Sequence, residues 1–136
     1  MLGQFGMAEC NPSNFPMEPR NKLNIDKGGK LVDATEYRKM IGCLMYLLHT
    51  RHDLSYSVGL ASRFMDKQTV MHAGEVKQTM RYLKGTTEFG LIYVPGGGLG
   101  VLVGYTNSDH GADQVERTST GGMVVYLGEN LVSWCS

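Results

Sequence analysis

The sequence predicts an α/β (α+β) chain: an extended N-terminal arm, three helices, and then a small, mainly antiparallel sheet. Three observations carry this expectation. Three of the four prolines fall within residues 1–32. From Asp33 to Lys84 apolar residues recur at spacings of three and four, the period of a helix with one buried face. After Gly85 the pattern turns to short strand-like runs separated by glycine-rich or polar connections. The expected organisation is an arm over 1–32, a three-helix segment over 33–86 and a β segment over 87–136.

In the arm, Pro12, Pro16 and Pro19 remove backbone donors and fix φ, and the Gly28-Gly29 pair adds a flexible break, so continuous helix and central strand are both disfavoured. Asp33-x-x-Glu36 resembles a capping box, and the first helix is expected to run from there to about Thr50. Its buried face is Met40, Leu44 and Leu47, with Ile41 and Leu48 beside them; a face of that composition is core, not a cofactor site. Thr50-x-x-Asp53 repeats the capping pattern before a second helix over 54–65, and Thr69 is placed to cap a third reaching about Lys84. Ala73, Val76, Met80 and Leu83 form the stripe of that third helix, and Gly85 is placed to end it. Strands are expected over 89–94, 99–107, 123–127 and 131–135. Pro95-Gly96-Gly97-Gly98 reads as a turn rather than a phosphate cradle, because no Gly-Lys-Ser/Thr follows it, and Ser119-Thr120-Gly121-Gly122 reads as the turn before a strand.

Composition narrows the functional classes. A length of 136 residues with 42% hydrophobic side chains fits one small domain or part of one. Thirteen basic and thirteen acidic residues give zero formal charge, so strong nucleic-acid binding is not expected. Cys10, Cys43 and Cys135 are an odd number at wide spacing, which fits reduced thiols better than a disulfide framework or a metal site. The first twenty residues lack the pattern of a secretory signal, so the chain reads as intracellular from its sequence alone. The longest apolar run, over 40–48, is far too short to span a bilayer, and no membrane insertion is expected.

Candidate chemical groups are sparse. His49, His52, His72 and His110 make no recognised paired spacing with Cys43 or Asp109 and read as polar surface or capping residues. Arg51-His52-Asp53 is expected to start a helix, where neighbouring side chains diverge, so it does not make a charge relay. No catalytic, cofactor-binding or metal-binding residues are expected.

Several motifs occur in one order along nearly the whole chain. Gly6-Met7 and Pro16-Met17 in the arm are followed by Tyr37-Arg38-Lys39-Met40-Ile41-Gly42-Cys43-Leu44-Met45-Tyr46-Leu47, which resembles a YRxxIGxLxYL helix. Then come His49-Thr50-Arg51-His52-Asp53-Leu54, which resembles HTRPDL, and Arg81-Tyr82-Leu83-Lys84-Gly85-Thr86, which is RYLKGT. With the segment from Gly104 onward, these motifs resemble the Pol polyprotein of copia-type retrotransposons, from the end of the reverse transcriptase into ribonuclease H. The resemblance implies that the β segment begins a truncated ribonuclease H-like fold. It also implies that the polymerase aspartates lie upstream of Met1, so no template-directed synthesis is expected. His52 departs from the family's proline, and Ala73 and His110 stand where tryptophan is usual.

Ribonuclease H chemistry needs several carboxylates around two magnesium ions, since hard cations take anionic oxygen ligands. The position matching the family's first-strand aspartate is Asn107, a neutral amide. Asp109 is two residues on, displaced along a strand by about 6.5 to 7 Å, more than the metal spacing of about 4 Å. The other family carboxylates belong to helices that would follow Ser136. Asn107 and Asp109 are therefore read as vestigial, and the chain as no enzyme.

The same order of motifs is similar to that of retroelement-derived chains named as secreted RxLR-type effectors of plant-pathogenic oomycetes. That resemblance implies secretion into the plant host cell, nucleus or cytoplasm, and suppression of cell death through a plant host protein as partner. The nearest approach to Arg-x-Leu-Arg is Arg81, Leu83 and Lys84, degenerate at its last position and set inside RYLKGT. Three readings follow: a non-catalytic effector, an inert Pol remnant, and a vestigial nucleic-acid binder. Self-association through an exposed sheet edge is a further expectation.

Overall fold

The computed structural model describes residues 1–18, 23, 28–96, 100–108 and 121–135. Pro19 and the segment holding Asp109, His110, Ser119 and Thr120 lie outside the described residues, as do Gly97 and Gly98. The chain divides into two compact units, Met1–Phe89 and Gly90–Ser136.

In the first unit the Asp33 carboxylate accepts the amides of Thr35 and Glu36, at 2.7 and 3.4 Å, satisfying donors that a helix start leaves free. Helix α1 follows over Ala34–Leu47. It stops three residues short of the sequence expectation because the amides of Thr50 and Arg51 both turn back to the Leu47 carbonyl. A single 3₁₀ turn, His52–Leu54, leads into α2, Ser55–Ser62, whose start has no side-chain cap. The capping role expected of Thr50 and Asp53 is thus not taken up. The Thr50 hydroxyl bonds the Leu47 carbonyl, and the Asp53 carboxylate is drawn to a charged partner described below.

Helix α3 spans Val70–Gly85 behind Thr69, as its capping signal predicts. The Thr69 amide donates to Nδ1 of His72 at 3.0 Å, so histidine fills the place that glutamate or glutamine takes in the usual capping box. Nδ1 is therefore an acceptor and the ring proton of the neutral imidazole sits on Nε2. The ring is fully buried and stacks on Phe64 with centroids 4.2 Å apart. Just upstream of the cap, Leu31 bridges to Thr69, and the Val70 amide reaches the Lys30 carbonyl at 2.9 Å.

The three helices enclose one core. Tyr37, Met40, Ile41 and Leu44 from α1 meet Val58 and Ala61 from α2 and Val76, Met80 and Leu83 from α3, as the period of three and four predicts. Burying each large aliphatic side chain contributes about 1.5–3 kcal/mol. The Tyr37 hydroxyl is satisfied by the Ala61 carbonyl at 2.8 Å, and burial pushes its pKa up to about 12. The arm closes two sides: Met7 enters this core, and Met17 packs with Leu23 and Phe64 in a second cluster.

The second unit is a three-stranded antiparallel sheet in the order β1-β2-β3, with β1 Leu102–Ser108, β2 Gly121–Leu127 and β3 Asn130–Cys135. Gly128, at φ +60°, opens the two-residue turn from β2 to β3, a geometry that glycine adopts without steric cost. Val132 is the extra residue of a bulge, since Val125 pairs with Ser133 and Tyr126 with Leu131. The strand expected over 89–94 does not form. There the Asn130 side chain takes both backbone groups of Val94, at 2.7 and 3.2 Å, and does for that residue what a neighbouring strand would do. Gly121 and Gly122 join β2 instead of making the expected turn. No helix among the described residues is long and apolar enough to cross a membrane.

Candidate functional site

The densest polar constellation in the first unit is built around Arg51, in the connection between α1 and α2. Its guanidinium is nearly buried, with 7% of the side chain exposed. It makes four hydrogen bonds: Nε to Asp53 Oδ1 at 3.0 Å, Nη2 to Asp53 Oδ2 at 2.8 Å, Nη1 to the Thr86 carbonyl at 2.8 Å and Nη2 to Thr86 Oγ1 at 2.7 Å. The Tyr82 hydroxyl adds a bond to Asp53 Oδ2 at 3.0 Å, and the Thr86 hydroxyl donates to the Tyr82 carbonyl at 2.8 Å. The rings of Tyr82 and Phe89 lie 5.7 and 5.8 Å from the guanidinium carbon, within cation–π range.

This pair corrects the expectation that Arg51 and Asp53 diverge. That expectation assumed helical backbone, in which residues two apart face different ways. Arg51 lies outside any helix, at φ −124° and ψ 72°, and this brings the two side chains together. Tyr82 and Thr86 are four apart at the end of α3, so both present to the same partner. The spacing of Tyr82 and Thr86 was readable in the sequence, whereas their partner was not.

Electrostatics ties the cluster shut. Burial works against the charge of Asp53, but the hydrogen bonds from Arg51 and Tyr82 outweigh it and hold the carboxyl below its ordinary value. The Asp53 hydrogen bond pushes Arg51 up against the opposing effect of burial, and burial together with that carboxylate pushes Tyr82 up. Because the Asp53 pKa is depressed in the fold, its stabilising effect is full above the ordinary carboxylate value of about 4 and is lost as pH falls through the lowered value. Wild type is therefore expected to exceed Asp53→Asn in urea midpoint at pH 7 and to lose that lead toward pH 2. An equal gap at both pH values would contradict this. Chemically the cluster is closed: both carboxylate oxygens and the guanidinium are engaged within the protein, so it is a staple rather than a base awaiting a substrate.

The Arg81, Leu83 and Lys84 motif lies in the last turns of α3, with Leu83 buried and Arg81 and Lys84 half-exposed. Leu83 is core, Arg81 Nε donates to the Asn11 carbonyl at 2.7 Å, and Lys84 Nζ donates to the Ala8 carbonyl. Arg81 and Lys84 thus both reach the arm.

Asn107 lies on β1 opposite Gly122, exposed, on the same face as Tyr105. Tyr105 in turn meets Tyr126 edge-on at 6.2 Å. Asp109 lies outside the described residues. His49 and His52 are exposed, His72 is the buried cap, and Cys10, Cys43 and Cys135 are free thiols. Among the described residues, no three histidine, cysteine, aspartate or glutamate side chains come together in a way that could hold a metal ion.

No family model and no solved structure matches the chain. Curated proteins do. The chain is 40% identical to the retrovirus-related Pol polyprotein from transposon RE1 of Arabidopsis thaliana over 136 residues, the whole of this chain and 9% of that protein. It is 31% identical over 144 aligned residues to the Pol polyprotein from transposon TNT 1-94 of Nicotiana tabacum, again over the whole chain and 11% of that protein. Secreted RxLR effector protein 161 of Plasmopara viticola is 37% identical over 101 residues, 74% of this chain and 70% of that protein. The chain thus spans about a tenth of the length of the Pol polyproteins it matches. By end-to-end likeness to such polyproteins, in the order of motifs that the helices and arm use for packing, the chain belongs to the copia-type retrotransposon Pol family.

Proposed function

We propose that this chain is a Pol-derived scaffold segment without catalytic chemistry of its own. The observation that carries this reading is the inward use of its motif residues. Arg51 and Tyr82 both donate to Asp53, and Arg81 and Lys84 bond the arm. A polar group engaged in this way is not free to activate water or hold a substrate. On β1, the position resembling a metal-binding aspartate is the amide of Asn107, which carries no charge for a magnesium ion. Restoring Asn107→Asp is expected to give no magnesium-dependent cleavage of the RNA strand of a hybrid, because one carboxylate does not make a two-metal site. Turnover that requires metal, in wild type or variant, would overturn the proposal. Zero net charge speaks against a phosphate-binding role, and a filter-binding titration is expected to show no salt-sensitive retention of nucleic acid.

A second reading is favoured by the likeness to the secreted effector over 74% of this chain. In it, the chain acts in a plant host cell, nucleus or cytoplasm, and suppresses cell death by binding a host protein. The scaffold reading has the broader support, because the likeness to Pol polyproteins extends over all 136 residues. Expressing the chain in leaves beside a cell-death elicitor separates the two. The scaffold reading expects unchanged necrosis, and suppressed necrosis would favour the effector.

A further inference from the structure

The arm lies along α3 in the opposite direction. Ala8 sits at Lys84, Asn11 and Ser13 at Arg81, Pro16 at Thr79 and Glu18 at Gln78. Almost every polar contact is with main chain. Lys84 grips the Ala8 carbonyl, Arg81 the Asn11 carbonyl at 2.7 Å and the Thr79 hydroxyl the Pro16 carbonyl at 2.8 Å, while the Ser13 amide returns a bond to the Arg81 carbonyl at 3.2 Å. Among the described residues of 1–18, Met7 and Met17 are the buried side-chain anchors, each 7% exposed, with Leu2, Phe5 and Cys10 partly buried against the same core as Met7. Methionine fills such sockets with little demand on shape. Gly85 completes the seat: a Cβ there would lie 3.0 Å from Cβ of Pro12.

This arrangement is that of a bent peptide seated on a helix: carbonyls held at intervals, a prolyl segment lying close to a glycine, and an apolar anchor at each end. All of these ligand features lie within residues 7–17, so the groove's requirements are met by an arm irrespective of which copy supplies it. The chain's zero net charge removes long-range repulsion between two copies. We propose that the outer face of α3 is a peptide-recognition groove, filled in cis by the arm and able to take the arm of a second copy of this chain in trans. Exchange of one terminal segment makes few new contacts and breaks few, which is why it is a low-cost route to a dimer. Covalent linkage sets the balance, since an arm on the same chain is held at a far higher effective concentration than the arm of a dilute second copy. Dilute wild type is therefore monomeric, and exchange emerges when the cis arm is prevented from seating.

Two full-length variants test this. Met7→Asp with Met17→Asp spoils the arm and leaves the groove empty. Gly85→Val keeps the arm and drives γ carbons into the place of Pro12. Each alone is expected to sediment as a monomer with its helical circular dichroism retained, and the equimolar mixture as a one-to-one heterodimer. Two folded monomers that ignore each other would overturn the proposal. Should the methionine variant fail to fold, isotope-labelled wild type mixed with a synthetic peptide of residues 5–18 decides the matter. At millimolar peptide the Ser13 amide is expected to exchange at least about tenfold faster, while amides within α3 keep their protection. Unchanged Ser13 exchange at that concentration would exclude a groove open to a second arm.

Discussion

Arg51→Ala is expected to lower the stability of the helical unit by about 3 kcal/mol, near the lower end of what breaking a buried ion pair costs. The variant loses four hydrogen bonds at once, two to Asp53 and two to Thr86. It also leaves the Asp53 carboxylate, whose side chain is 26% exposed, with Tyr82 as its remaining side-chain donor among the described contacts. That partial access to water keeps the loss from being larger. Arg51→Lys is expected to fall between, because an ammonium cannot reproduce the paired geometry of the guanidinium. A urea titration of Arg51→Ala, Asp53→Asn and the double variant reads the coupling directly. The double variant is expected to be destabilised by clearly less than the sum of the singles. Additive losses would show that the two side chains do not act together.

The second large effect is expected at Leu44. It is 1% exposed and packs on the inner face of α1 in the core shared with α2 and α3. Leu44→Ala removes the buried isobutyl contacts and leaves a cavity that helix backbones fill only in part, at a cost of about 3 kcal/mol. Over a unit of this size, that corresponds to a fall in Tm on the order of 12–20 °C. Leu47→Ala, at a partly buried position on the same helix, is expected to cost about a third as much. Equal losses at the two sites would mean that the core is not centred where α1 turns its Leu44 face. Both large effects fall on residues of motifs that resemble those of the copia-type family. A loss of any assayed function on changing them is therefore first to be read as a loss of fold.

Local signals in the sequence marked the helices well. Asp33 and Thr69 act at helix starts, and the apolar stripes of α1 and α3 are the buried ones, because caps and periodicity depend on residues within a turn of each other. Where the sequence misled, a distant partner decided. Asp53 abandons the start of α2 for Arg51 and Tyr82, the latter 29 residues away, and Val94 gives its backbone to Asn130, 36 residues away, so that no strand forms there. The Arg51 staple went unread for the same reason: its geometry exists only once the end of α3 lies beside the connection between α1 and α2. The grip of Arg81 and Lys84 on the arm was not legible, since carbonyls leave no mark in a sequence.

The arm's seat also orders events in time. Ala8 and its partner Lys84 are 76 residues apart in the chain. At synthesis rates of about 5–20 residues per second, the arm waits roughly 4 to 15 s for α3 to be made. For that interval Met7 lacks the α3 side of its socket. Closure of the first unit is therefore a late event of its synthesis, timed by the making of α3 rather than of the arm.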